Sequence, residues 1–113
     1  ENPEVFIDHE HGVTKGYIEG SIQSWNNTYR ITNLLVIEAY RRQKIGDRLI
    51  AYLLDHARKL GVRAVILEVQ SCNDKAIKLY LKHGFSFIGI DTLCYSNTDI
   101  ERKEVRLEMG LKL

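Results

Sequence analysis

Residues 36–49, VIEAYRRQKIGDRL, carry an apolar run into the start of a helix through Arg41, Arg42, Gln43 and Lys44. Upstream, residues 29–37 contain Ile31, Leu34, Leu35, Val36 and Ile37. That run ends apolar on both faces, as a central strand does. Downstream, Leu49, Ile50, Leu53, Leu54, Ala57 and Leu60 recur at three- and four-residue spacings, with Asp47, Arg48, Asp55, Arg58 and Lys59 opposite. The spacing predicts a helix over 46–60, stopped by Gly61. A tight turn from strand into helix points the first helical N–H groups one way, with the positive end of the helix dipole behind them. Gly46 lets the backbone come close, and three cations stand beside it. Such a turn suits a diphosphate, although a solvated basic turn that binds nothing has the same composition.

The rest of the chain places this junction in a sheet. Residues 4–8 form a short strand candidate before a turn at His11-Gly12. In 13–23, Gly16, Ile18, Gly20 and Ile22 share one face while Tyr17, Glu19 and Ser21 share the other. That period of two marks a half-buried strand. Asn26-Asn27 punctuates a hairpin. Residues 62–69 are a β-branched run, a buried strand. Asn73 suits the cap of a second helix reaching His83, where Gly84 supplies a left-handed end and Phe85 the apolar contact that follows it. Residues 85–95 and 105–113 read as closing strands. The expected fold class is α/β (α+β), a mixed twisted sheet flanked by helices, with the two helices on either side of one buried strand in a right-handed crossover.

At 113 residues the chain is expected to form one domain spanning 1–113. Sixteen Lys and Arg against fifteen Asp and Glu leave a formal charge of +1, so no bulk field draws it to nucleic acid or an anionic membrane. Any anion site must be local. Apolar runs are too short to span a bilayer, and no signal peptide is visible. Two cysteines, Cys72 and Cys94, make no disulfide framework, and a cytoplasmic, reducing setting is expected.

With the second helical segment included, the chain resembles the GNAT superfamily of N-acetyltransferases. Arg41 to Gly46 meets the family's Q/R-x-x-G-x-G/A motif at its first and last places, with Lys44 replacing the central glycine. Asn73, Ala76, Leu79, Tyr80, Gly84 and Phe85 match the family's later signature. Ser24-Trp25-Asn26, Gly89-Ile90-Asp91 and Tyr95 are similar to the streptothricin acetyltransferase branch, while the 73–85 segment fits ribosomal-protein N-terminal acetyltransferases equally well. On this resemblance the sequence enters at the second family strand, and the family's first strand and two helices are expected to lie outside it.

The resemblance implies the GNAT acyl-CoA N-acyltransferase fold and acetyl-CoA as cosubstrate, with no metal. In the family two central strands splay and the pantetheine arm lies between them like an extra strand. Carried over, the backbone of Leu35, Val36 and Ile37 would bind that arm. The amides of Arg41, Arg42, Gln43, Lys44, Ile45, Gly46 and Asp47 would bind the pyrophosphate. Asn73 would contact the pantetheine, and Tyr80 would be the general acid near the sulfur. The implied reaction is acetylation of a primary amine by direct attack on the thioester. A cationic small molecule such as a streptothricin-type antibiotic is the implied acceptor, and a ribosomal-protein or peptide N-terminus is the alternative. A non-catalytic acyl-CoA-binding module is the rival from another class, and a homodimer is an expected partner state. Many family members carry a glutamate as base where Asn33 stands here, which leaves Glu19, Glu68, Asp91 or water for proton removal.

Lesser signals have simpler explanations. His9-Glu10-His11 lacks a second ligand cluster and reads as a polar turn, not a metal site. His56 and His83 lie late in helices, where cations suit the dipole. Cys72 has no evident base beside it. Trp25 and Tyr29 line an acceptor surface or cover the sheet end. Residues 99–104 read as a solvated turn. No dinucleotide fingerprint or Walker-type lysine motif is present.

Overall fold

The computed structural model describes residues 2–113. Its strands are β1 (Glu4–Glu10), β2 (Val13–Gln23), β3 (Thr28–Val36), β4 (Ala64–Gln70), β5 (Ser86–Asp91) and β6 (Arg106–Lys112). Its α-helices are α1 (Ile45–Leu60), α2 (Asp74–Lys82) and the short α3 (Asp99–Arg102), with a 3-10 turn over Glu38–Tyr40. The strands form one sheet in the order β1-β2-β3-β4-β6-β5. The fold is the expected α/β one, with the helix and strand segments within a few residues of their predicted bounds. The exception is the segment after Asp91, where β5 stops four residues short of the predicted Tyr95. The chain divides into two compact units, one running to Val65 with Lys112–Leu113, the other Ile66–Leu111.

In the first unit β1, β2 and β3 form an antiparallel meander, and α1 packs on all three. The apolar stripe of α1 is buried at Ile45, Leu49, Ile50, Leu53, Leu54 and Ala57, against Ile18, Tyr29 and Ile31 of the strands. Burying that many aliphatic side chains, at about 1.5–3 kcal/mol each, is the main term holding α1 down. Asp47 in the first turn and Arg58 and Lys59 in the last oppose the helix dipole, and Gly61 ends the helix at φ 78°. Tyr29 is fully buried and its hydroxyl donates to Glu4 Oε1 at 2.9 Å, which also meets His56 Nε2 at 3.1 Å. One carboxylate thus ties β1 to both β3 and α1. Burial, with Glu4 beside it, holds the Tyr29 hydroxyl well above the ordinary phenol range.

Gly16 has a steric reason. A Cβ there would stand 2.7 Å from the Leu35 carbonyl and 3.2 Å from Ile45 Cγ2. Only hydrogen lets β2 lie this close to both the end of β3 and the first residue of α1.

In the second unit β5 pairs antiparallel with β6, with Phe87 opposite Met109 and Ile90 opposite Leu107. Leu67, Val69, Tyr80, Phe85 and Met109 are its buried apolar residues. Asn73 Oδ1 accepts from the Ala76 N–H at 3.3 Å and caps α2. The other end closes as a Schellman motif: Gly84 (φ 95°) donates to Leu81 O at 3.0 Å and Phe85 to Tyr80 O at 3.1 Å. The apolar contact that accompanies such motifs is the Tyr80–Phe85 ring pair, with centroids 5.7 Å apart.

The segment read as a solvated turn is instead folded around Asp99, which is 1% exposed. Its carboxylate accepts from the Tyr95 N–H at 2.9 Å and the Ser96 hydroxyl at 2.8 Å, and its carbonyl accepts from Glu104 N–H at 3.0 Å. A short polar side chain capping a loop from within is invisible to hydrophobic periodicity. Burial pushes the carboxyl pKa up, but the hydrogen bonds from Tyr95 and Ser96, with Arg102 nearby, outweigh it and leave the group below its usual value.

Two outcomes follow. Gly16→Ala should cost about 1–3 kcal/mol in urea unfolding, because backbone and not a mobile side chain meets the added methyl. Asp99, with its folded pKa depressed, stabilises the fold above the unfolded carboxylate pKa near ~4, and this is lost as pH falls through the folded value. Stability of an Asp99→Asn variant, followed by chemical denaturation, should be lower at pH 7, and the difference from the parent should shrink as pH falls through the depressed carboxyl value.

Candidate functional site

The turn between β3 and α1 has two non-glycine residues in the left-handed region, Arg42 at φ 70° and Lys44 at φ 61°. Each costs about 1 kcal/mol or more, which surrounding structure must offset. The place where the motif glycine is replaced therefore does require a positive φ, and Lys44 adopts it. Lys44 is also the N-cap of α1 and supplies no side-chain cap. Its carbonyl takes the Arg48 N–H at 3.1 Å, so the amides of Ile45 and Gly46 precede the first acceptor within the helix. Left-handed residues alternating with right-handed or extended ones curl successive N–H groups into an anion-binding concavity. Arg41, Arg42, Gln43 and Lys44 are all exposed around it.

Not every expected donor is available. The Arg41 N–H goes to Glu38 O at 3.2 Å and the Ile37 N–H to Lys15 O at 2.9 Å. The donor run thus starts at Arg42, and Ile37 offers only its carbonyl, which already receives the Tyr40 N–H at 2.9 Å. Leu35 and Ile37 remain substantially exposed at the end of β3.

Arg48 is a residue the sequence reading passed over. Its guanidinium meets Asp8 Oδ2 at 3.0–3.1 Å and donates to the Gln43 carbonyl at 3.2 Å. A peptide plane directs its N–H opposite its C=O, so holding the Gln43 carbonyl toward Arg48 turns the Lys44 amide the other way. On a helical wheel Arg48 is merely a solvent-facing cation. Its partner Asp8 is forty residues distant, which periodicity cannot reveal.

Asn33, at the position where a base was sought, is the cross-strand partner of Glu19. Asn33 Nδ2 donates to Glu19 Oε1 at 2.8 Å and the Thr32 hydroxyl to the same oxygen at 2.9 Å. These bonds, Asn33's first, hold the Glu19 carboxyl below its usual pKa. Glu19 is suited to staying charged and not to taking a proton near neutrality.

In the second unit, Asn73 is exposed and its side-chain oxygen is committed to the α2 cap, leaving the Nδ2 donor. Tyr80 is 7% exposed, and burial pushes its hydroxyl pKa above the usual 10. Glu68 is ion-paired with Arg106, which also donates to Glu108 Oε1 at 2.7 Å and approaches Cys94 Sγ at 3.9 Å. That pairing makes Glu68 part of a charge network joining β4, β6 and the loop between β5 and β6. Among the described residues no group of three or more His, Cys, Asp or Glu is placed to hold a metal, and no helix is long and apolar enough to cross a membrane.

If Arg48 orients the turn, Arg48→Met should speed amide hydrogen exchange at Lys44, Ile45 and Gly46 several-fold and leave residues 50–57 of α1 protected. Unchanged exchange in the turn would assign that role elsewhere.

The sequence profile of the acetyltransferase (GNAT) family matches residues 1–85. Streptothricin acetyltransferase of Streptomyces lavendulae is 33% identical over 90 residues, covering 80% of this chain and 48% of that protein. The [ribosomal protein bS18]-alanine N-acetyltransferase of Escherichia coli is 39% identical over 67 residues, covering 59% of this chain and 45% of the enzyme. The chain thus spans about half the length of the curated relatives it matches. Among solved structures, a Bacillus anthracis protein assigned as a streptothricin acetyltransferase, in complex with acetyl coenzyme A, superimposes with a TM-score of 0.89 at 31% identity, over 100% of this chain and 64% of the other. A left-handed turn opening onto an uncapped helix, a Schellman-closed second helix and these matches together lead to one statement: the chain belongs to the GNAT acetyltransferase family.

Proposed function

We propose that this chain, as a single domain over residues 1–113, transfers the acetyl group of acetyl-CoA to a primary amine. The observation that carries the reading is the uncapped start of α1 behind the Arg42 and Lys44 left-handed turn. The amides of Arg42, Gln43, Lys44, Ile45, Gly46 and Asp47 hold the pyrophosphate, and the Arg41, Arg42 and Lys44 side chains add charge around it. Main-chain groups of Leu35 and Val36, with the Ile37 carbonyl, orient the pantetheine arm. Asn73 adds a contact to that arm through Nδ2, its oxygen being used by the helix cap.

The amine attacks the thioester carbonyl as a neutral nucleophile. Its nitrogen–carbon bond forms, the carbon–sulfur bond breaks, and the sulfur leaves as a thiolate that needs a proton. Tyr80 supplies it. Its raised pKa keeps the phenol protonated throughout the neutral range, and the Tyr80–Phe85 contact with the helix-closing hydrogen bonds fixes the ring. The acceptor is a cationic small molecule of the streptothricin type, a reading supported by the Streptomyces lavendulae and Bacillus anthracis relatives. The 39% identity to the bS18-alanine N-acetyltransferase over 67 residues supports a peptide N-terminus as the second reading.

Thiol release from acetyl-CoA, measured with streptothricin and with an alanine-terminated peptide in separate reactions, tests both. Release with neither amine, despite CoA binding, would replace the enzyme with a binding module. Tyr80→Phe should lower kcat about 100-fold while changing the CoA dissociation constant less than twofold. On the alkaline side the parent should lose activity only beyond the ordinary phenol range, as Tyr80 ionises, and the variant should lack that alkaline limb.

A further inference from the structure

The connection from β3 to α1 holds Arg42 and Lys44 in the left-handed region. Strained dihedrals persist only where their surroundings over-determine them. Arg48 secures the downstream side through the Gln43 carbonyl. The upstream side is secured twice by one residue of β2, Lys15. It adjoins Gly16, which pairs with Val36 where β3 ends. The Lys15 carbonyl accepts the Ile37 N–H at 2.9 Å. Its ammonium lies 5.3 Å from the centroid of the Tyr40 ring and meets Glu10 Oε2 at 3.0 Å. The lysine side chain is only 16% exposed, although lysines are mostly surface residues. A cation–π contact is worth most where water has been removed from it.

We propose that Lys15 is a positioning residue for the diphosphate. It grips Ile37 through its carbonyl and Tyr40 through its ammonium, and so fixes the bend from which the Arg42–Lys44 turn departs. Tyr40 closes that bend: its N–H goes to the Ile37 carbonyl at 2.9 Å, and the Arg41 N–H goes to Glu38 O at 3.2 Å. Arg41 then runs extended, with φ −62° and ψ 154°, and Arg42 turns left-handed at φ 70°. Pinning the Tyr40 ring therefore sets the direction in which the run of amide donors begins. Glu10 keeps the ammonium over the ring and matches its charge, so simple attraction of an anion by Lys15 is the poorer account. The inference rests on the diphosphate reading of the turn and adds to it a residue that acts through Tyr40, without touching the donor. Its effect is selective. Lys15 shapes the part of the site that captures the diphosphate, while Tyr80 and the transfer step stand outside its reach.

Calorimetric titration with CoA reads the effect without any acceptor. Lys15→Met keeps the aliphatic stem and removes the charge, and it should weaken CoA binding about five- to tenfold, the order expected of a desolvated cation–π contact. Thiol release with streptothricin as acceptor should show the same rise in KM for acetyl-CoA, with kcat within about twofold of the parent. Lys15→Arg, which keeps the charge and stacks on a ring, should recover CoA binding to within about twofold. Tyr40→Leu leaves the charge in place and should match Lys15→Met, and the double variant should be no worse than either alone. In the ligand-free variants the Arg41 amide should exchange faster while residues 50–57 of α1 stay protected. Lost protection across 50–57 would make Lys15 a general support of the fold and overturn the proposal. A loss with Lys15→Met that Tyr40→Leu does not share would overturn it too, by making Lys15 a through-space charge. If the parent binds no CoA, the diphosphate reading fails and this inference with it; unchanged affinity of Lys15→Met beside a parent that binds CoA removes the inference alone.

Discussion

The first unit depends on an absence of atoms at position 16. β2, the end of β3 and the opening of α1 converge there, and anything larger than hydrogen would meet the Leu35 carbonyl and Ile45. That close approach sets where β3 stops relative to the helix that follows it. The connecting turn then has few conformations left, and it reaches α1 only by holding Arg42 and Lys44 in the left-handed region. Packing of the α1 stripe on the sheet supplies the energy, since buried aliphatic side chains at a few kcal/mol each far exceed the strain of two unfavourable dihedrals. Arg48 completes the arrangement by anchoring one carbonyl of the turn to β1.

Much of this was legible from residues alone. The α1 stripe follows from apolar spacing, and so does the alternation of β2. The end of α2 follows from Gly84-Phe85, and the structure gives that signature a mechanical meaning: Tyr80 and Phe85 are the two residues a Schellman motif brings into contact. A tyrosine placed there is therefore both packing and a candidate acid, two roles that share one geometry.

What periodicity could not supply were interactions between residues far apart in the chain or between polar groups nearby. Arg48 with Asp8, Tyr29 with Glu4, and Glu19 with Asn33 pair over 40, 25 and 14 residues, distances at which no local pattern carries a signal. The sign of φ at Lys44 was likewise undecidable, because lysine tolerates either value at moderate cost. Asp99 failed for a different reason. A charged residue in a charged stretch reads as solvated unless its hydrogen-bond donors are known, and those are two backbone amides and a serine brought round by the loop itself.

The cap on α2 has a bearing on selectivity. A primary amide has one end that receives hydrogens and one that offers them, and at Asn73 the helix has claimed the receiving end. The cap takes one lone pair of that oxygen, so the Nδ2 hydrogens are the part of this side chain the helix leaves wholly to others, and they answer to lone pairs such as a carbonyl's. An aspartate in the same place would serve the helix equally well and greet such a carbonyl with repulsion.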